Sequence, residues 1–159
     1  MINQRDFFDH DVANVDNIQG YYIVRPNDYV YNPRTSMTAP VGPINRNKLG
    51  CCGVMSPLYY VFRVEKQSDG ILHFLDYYFK SNMWHDFMFK NGNSGARSDR
   101  FSISDSTFSL MPILYPQKEE EQLNIGQVFI NMEKLMRTES IKLSKFRSMK
   151  QSLLQKMFV

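Results

Sequence analysis

The sequence predicts an α+β fold: a small mixed α/β domain over residues 1–116, followed by one long coiled-coil helix over residues 117–159. Three observations carry this reading. Aromatic residues, prolines and glycines alternate with short apolar runs up to Pro116, whereas beyond it there is no proline and Gly126 is the only glycine. Apolar residues make up 43% of the 159, enough to build a core rather than leave the chain unfolded. In the last 40 residues apolar side chains recur at alternating steps of four and three, the signature of a helical seam.

The elements follow in order. GYYIV (20–24) and DYVYN (28–32) read as short strands around the turn RPND. Residues 29–50, YVYNPRTSMTAPVGPINRNKLG, read as a long ordered loop stiffened by three prolines. LYYVFRV (58–64) is β-branched and aromatic, which suits a strand. After the turn QSDG, Leu72, Leu75 and Phe79 share one face of a helix. SNMWHDFMFK continues helically, KNGNSGARSDR is a glycine-rich loop, and SISD caps a short helical turn. LMPILYP reads as a strand or an extended edge, because its prolines cannot donate to a ladder. The final helix spans about residues 120–158. Its seam is Ile125, Phe129, Met132, Met136, Glu139, Leu143, Phe146, Lys150, Leu153 and Met157, eight of ten apolar. Glu119, Glu120 and Glu121 stand at its start and Lys142, Lys145, Arg147, Lys150 and Lys156 load its far half, as the helix dipole favours. Such a helix is about 58 Å long at 1.5 Å per residue, too long to lie wholly on a domain of this size. Part of the seam therefore needs another helix; the competing expectation is a helix folded back on its own core.

Charge and motif content exclude several classes of function. Net charge is +3, with 11 bases and 11 acids up to residue 116 and 8 bases and 5 acids beyond. Between Asp28 and Glu65 the only charged residues are Arg34, Arg46, Lys48 and Arg63, a local positive field suited to an anionic partner. Cys51 and Cys52 are neighbours with no third cysteine, which fits reduced thiols in the cytoplasm. His10, His73 and His85 are scattered without metal-ligand spacing. No nucleophile elbow, P-loop or dinucleotide fingerprint occurs, and no acid is followed two positions on by lysine. The expectation is a protein without a catalytic residue, a metal or a cofactor. No run of 18 apolar residues occurs and the N-terminus is acidic, so neither a membrane span nor a secretory signal is expected.

Several segments in sequence resemble one family. YVYNPRTSMTAPVGPINRNKLG, GVMSPLYYVFR, NGNSGARSDRFSISD, MPILYPQKEEEQLNIG and KLSKFRSMKQSLLQKMF, in that order, resemble the specificity subunit of type I restriction–modification enzymes. The resemblance covers nearly the whole chain and lies in the order of the pieces. It implies a target-recognition domain at 1–116 and a spacer and dimerisation helix at 117–159, with the chain matching a C-terminal half of such a subunit and lacking its front. It implies a non-catalytic subunit of a bacterial or archaeal cytoplasmic complex. Its partners would be double-stranded DNA, the methyltransferase (modification) subunits, the restriction subunit, and a second specificity half or a second copy paired antiparallel through the helix.

That resemblance assigns a purpose to the donor-rich loops. Arg34 and Arg46 can hold guanine or phosphate in two-pronged fashion, and Lys48 adds charge. Asn32, Asn45 and Asn47 have amide chemistry that matches adenine, while Thr35, Ser36 and Thr38 suit phosphate oxygens. In the second loop Ser94, Arg97 and Arg100 stand among glycines that permit close backbone approach. Helix pairing would use Ile125, Phe129, Met132, Met136, Leu143, Phe146, Leu153 and Met157. The alternative is a protein that contacts no DNA and acts only through its helix, as an assembly-modulating remnant.

Overall fold

A computed structural model describes residues 20–94 and 99–158. The order is β1 (Tyr22–Val24), β2 (Tyr29–Tyr31), β3 (Ile44–Arg46), β4 (Gly53–Met55), β5 (Tyr60–Phe62), α1 (Asp69–Tyr78), α2 (His85–Asn91), β6 (Asn93–Ser94), β7 (Phe101–Ser102), α3 (Asp105–Phe108) and α4 (Glu119–Met157). This is an α+β chain of small antiparallel sheets with a long C-terminal helix.

β2 is the centre of the domain. It pairs antiparallel with β3 on one side and β5 on the other, and all three of its residues are buried. Strand side chains alternate between faces, so Tyr29 and Tyr31 point one way and Val30 the other. Tyr29 lies directly opposite both Phe62 and Arg46, which places those three side chains on a common face. Helix α1 covers that face. The Tyr29 hydroxyl donates to the Leu72 carbonyl at 3.2 Å, and its ring stacks on Phe62 and meets Phe79 edge-on. Tyr31 stacks on Phe108 of α3 and donates to the Val41 carbonyl at 2.7 Å. Trp84 and Met88 close the core from the α2 side, and the indole N–H donates to the Phe79 carbonyl. Each such side chain withdrawn from water contributes about 1.5–3 kcal/mol. Satisfied hydroxyl and indole groups spare the domain the penalty of burying bare polar atoms.

Local signals account for the helices. Ser68 caps α1 by accepting from the Ile71 N–H, and Asp69 occupies its first turn. Ser104 caps α3 by accepting from the Thr107 N–H. α4 begins within one residue of its expected start, with three glutamates in its first turn. The strands depart further from expectation. Residues 29–50 are not one loop: the chain leaves β2, turns through 32–43 and returns as β3. β1 does not pair with β2 across the RPND turn; it pairs with β4, for which no strand was expected. Residues 110–118 contain no strand, and the two prolines there leave few donors for a ladder. The 91–100 loop contributes β6, which pairs with β7.

The turn from β2 to β3 depends on Gly42. Its φ is +83°, and a Cβ there would lie 2.1 Å from the Asn32 carbonyl oxygen. That approach lets the Asn32 N–H reach the Pro43 carbonyl at 2.9 Å and close the turn.

α4 packs on the domain through its first turns only. Gln122 and Gly126 are buried, whereas every residue from Asn131 to Phe158 is exposed. A Cβ at Gly126 would stand 2.6 Å from the Cβ of His73, so this glycine sets the closeness of α1 and α4. Past Glu133 the helix runs on for about 36 Å at 1.5 Å per residue, exposed throughout its described residues. The described part of the globule therefore covers only the first turns of α4.

Gly42→Ala should destabilise the domain by about 2 kcal/mol, from a disfavoured φ and a backbone clash together. A fall in the urea midpoint with an unchanged slope is the expected result.

Candidate nucleic-acid interface

The two donor-rich loops meet. The Phe101 N–H donates to the Pro33 carbonyl at 2.8 Å, and the Thr35 N–H donates to the Asp99 carbonyl at 3.0 Å. Between these bonds Arg34 and Arg100 face each other as an isolated antiparallel bridge. They form the pair whose own backbone groups do not bond each other, the closer of the two antiparallel geometries, with Cα atoms about 4.5 Å apart. Like charges opposite one another in this way repel. Among the described residues no ion pair or side-chain hydrogen bond holds either guanidinium. Arg34 is exposed and Arg100 half-buried. An anion placed between them would relieve the repulsion.

The surroundings of the pair are rigid. Asn32 Oδ1 accepts from the Arg34 N–H at 3.0 Å, which fixes the backbone at the arginine. Ser36 and Ala39 exchange both backbone hydrogen bonds, and the Ser36 hydroxyl lies 3.3 Å from that of Thr38. Thr35 is held by its own backbone bond. Ser94 pairs with Phe101 on the far side of the same strand segment and is exposed. Beside Arg100 opens a cleft of about 250 Å³, walled by Tyr31, Pro33, Tyr59, Tyr60 and Phe108. The aromatic SPLYY wall was not among the expected site residues. Its signal in the sequence is the aromatic pair Tyr59–Tyr60 at the start of a strand.

Three expected contact residues are already committed inside the protein. Arg46 makes a two-pronged pair with Asp76, Nε to Oδ1 at 2.9 Å and Nη2 to Oδ2 at 2.7 Å, and its Nη1 donates to Asn27. Its side chain is only 10% exposed. The cause is register: Arg46 shares the Tyr29 face, which α1 covers, whereas its neighbour Asn45 points to the opposite, exposed side. Asn47 is buried. Its amide donates to the Cys51 carbonyl at 2.9 Å and its Oδ1 accepts from the Leu49 N–H at 3.1 Å. Lys48 Nζ lies 2.6 Å from Asp76 Oδ2, though its side chain stays more than half exposed. Arg63 pairs with Asp28 at 2.6 Å. Of the four bases expected to make a positive field across residues 29–64, only Arg34 is left without an ion pair among the described residues. Arg97 lies outside the described residues. Asn32, Arg34, Thr35, Ser36, Thr38, Asn45, Ser94 and Arg100 remain on or near the surface.

Asp76 is the acid that organises this cluster. Burial alone would raise its pKa, but hydrogen bonds from Arg46 and Lys48 outweigh it and hold the carboxyl below its ordinary value. Burial works against the Arg46 charge, and the bonds to Asp76 overcome that as well.

The long helix carries the second candidate surface. Ile125 is half-buried and Phe129 stacks on the Tyr77 ring at 4.9 Å. Met132, Met136, Leu143, Phe146, Leu153 and Met157 are each at least half exposed, with Phe146 at 66%. Isolated exposed apolar residues are ordinary, but a stripe of them along a protruding helix, here interrupted by Glu139 and Lys150, is a candidate interaction surface. Among the described residues no helix is long and apolar enough to cross a membrane.

Compared with family models, curated proteins and solved structures, the chain matches none.

Arg46→Ala should cost about 2–3 kcal/mol of stability, because it leaves the Asp76 carboxylate buried with Lys48 as its remaining cation. Urea unfolding reads this directly. The pH dependence has a definite sign. Asp76 has a folded pKa below its ordinary 3.8, so its contribution is complete above that value and fades as pH falls through the lower folded value. Asp76→Asn should flatten that acid limb of the stability curve.

Proposed function

We propose that this chain is the DNA-reading half of a type I restriction–modification specificity subunit, and is not itself catalytic. The domain meets one half-site of double-stranded DNA. The exposed seam of α4 pairs with a second specificity half or a second copy, and the paired helices dock the modification subunits. Methylation belongs to those subunits, and cleavage to the restriction subunit. The setting is the cytoplasm of a bacterium or archaeon.

The observation that carries this reading is the Arg34–Arg100 pair. Two arginines set opposite each other, neither ion-paired among the described residues, match a phosphate or the acceptor edge of guanine, although Asp105 also lines the cleft beside Arg100. Asn32, Thr35, Ser36, Thr38, Asn45 and Ser94 lie on or near the surface and carry amide and hydroxyl groups suited to phosphate and base contacts. The seam supports the other half of the proposal. Eight apolar side chains at heptad spacing find cover when a similar helix lies against them. An antiparallel partner would place a second reader at the far end of the rod.

A second reading draws on a specific observation. Arg46 and Lys48 are tied to Asp76, which leaves the domain less free positive charge than its composition implies. A protein that only pairs through α4 and modulates assembly accommodates this equally well.

Salt dependence separates the two. In the assembled complex, Arg34→Ala and Arg100→Ala should each weaken DNA binding and each reduce the slope of log affinity against log salt by about 1. Unchanged affinity and slope in both variants would leave only the assembly reading. Phe146→Asp tests the seam: the mass of the particle in solution should fall to that of one chain while far-UV circular dichroism retains a folded domain.

A further inference from the structure

The contact between α1 and α4 holds a second device besides packing. Gln122, Gly126, Phe129 and Glu133 face the globule. At 100° per residue they form a stripe set about 60° round the helix from the first half of the seam. Phe129 belongs to both, and Ile125 of the seam is half-buried beside it. Beyond them the seam face is left exposed.

The outermost support on that stripe is polar. Glu133 Oε1 receives Lys80 Nζ at 2.6 Å, and Glu133 Oε2 receives the Tyr77 hydroxyl at 3.1 Å. Lys80 also sits 4.6 Å over the Tyr77 ring, which stacks with Phe129. Tyr77 follows Asp76 in α1, and the Lys48 ammonium that pairs with Asp76 also draws on the Glu133 carboxylate. Ion pairs thus join Arg46 and Lys48 to Asp76, and Lys80 to Glu133. No exposed ion pair of this kind adds much stability by itself. Its geometry matters more than its strength. Gly126 brings the axes together at one point, about which a rod could pivot. Glu133 grips the rod about 10 Å farther along, at 1.5 Å per residue, and two points fix a direction.

We infer that the Tyr77–Lys80–Glu133 clasp sets the angle at which α4 leaves the domain. Under the functional reading above, on which this consequence rests, the clasp positions the reader relative to its companion and so selects the gap between half-sites. Glu133, Tyr77 and Lys80 are then positioning residues that need not touch DNA.

Double electron–electron resonance tests the clasp without DNA. Spin labels go on Lys90→Cys and Gln151→Cys in the full chain, with Cys51→Ser and Cys52→Ser removing the native thiols. Excess unlabelled protein suppresses distances between copies. The parent should give one narrow distance peak. Glu133→Ala should lose that peak to a broad distribution, with helix content unchanged. Lys80→Met and Tyr77→Phe remove one bond each and guard against misfolding of the first variant. Glu133→Gln, which still accepts from Tyr77, should fall between. Equal peak widths in parent and all variants would overturn the clasp. The assembled complex gives a separate reading on DNAs whose two half-sites are moved apart or together by one base pair. The parent should prefer one gap, and Glu133→Ala should lose that preference. A preference kept despite broadened distances would overturn the role in spacing. Absence of DNA binding by the parent complex would overturn the functional reading alone.

Discussion

The buried carboxylate of Asp76 is the constraint on which the remaining structure leans. A charged group placed there would be costly without partners, and two cations from the β3 region supply them. The bond to Arg46 spans 30 positions of sequence and joins the edge strand of the central sheet to the helix that covers it. Tyr29 fills the space beside this pair, with its hydroxyl on α1 and its ring against Phe62 and Phe79. Sheet, covering helix and rod base are therefore registered to one another through a single locality. Packing density alone would let the helix slide; a two-pronged ion pair would not, since both oxygen–nitrogen bonds need one orientation.

This arrangement redistributes the charge of the domain. A run of residues that carries four bases and no acid looks uniformly positive along the chain. In space, Arg46 and Lys48 face Asp76 and Arg63 faces Asp28. Of that run only Arg34 stays without an ion pair among the described residues, and Arg100 from a separate loop is set opposite it. Repulsion between them is tolerated because ladder bonds on both sides hold the strands together. Such a poised repulsion is a feature that a polyanionic ligand would favour over water.

The rod follows from a division of faces along one helix. A narrow stripe near its start, closed by Gly126 against His73, meets the globule. The apolar seam turns away from that stripe and continues beyond the globule, where no described residue covers it. A helix that used the same face for both purposes would have to choose between its own domain and a partner. The offset between the faces lessens that conflict beyond Phe129, the seam residue that also stacks on the globule.

Much of the fold was legible in the residues, and the reason is locality. Capping by Ser68 and Ser104, the spacing of Leu72, Leu75 and Phe79, and the glutamates before the seam act within a turn or two, so their consequences can be read directly. The extent of α4 came from the same kind of signal. Strand partners were not legible. Three-residue strands carry too little alternation to state a register, and β1 finds β4 rather than its neighbour in sequence. The candidate site divided along the same line. Composition located the donor-rich loops, but it could not tell Arg34 from Arg46. Only the folded register decided that one guanidinium faces solvent beside Arg100 while the other faces a carboxylate contributed 30 residues later.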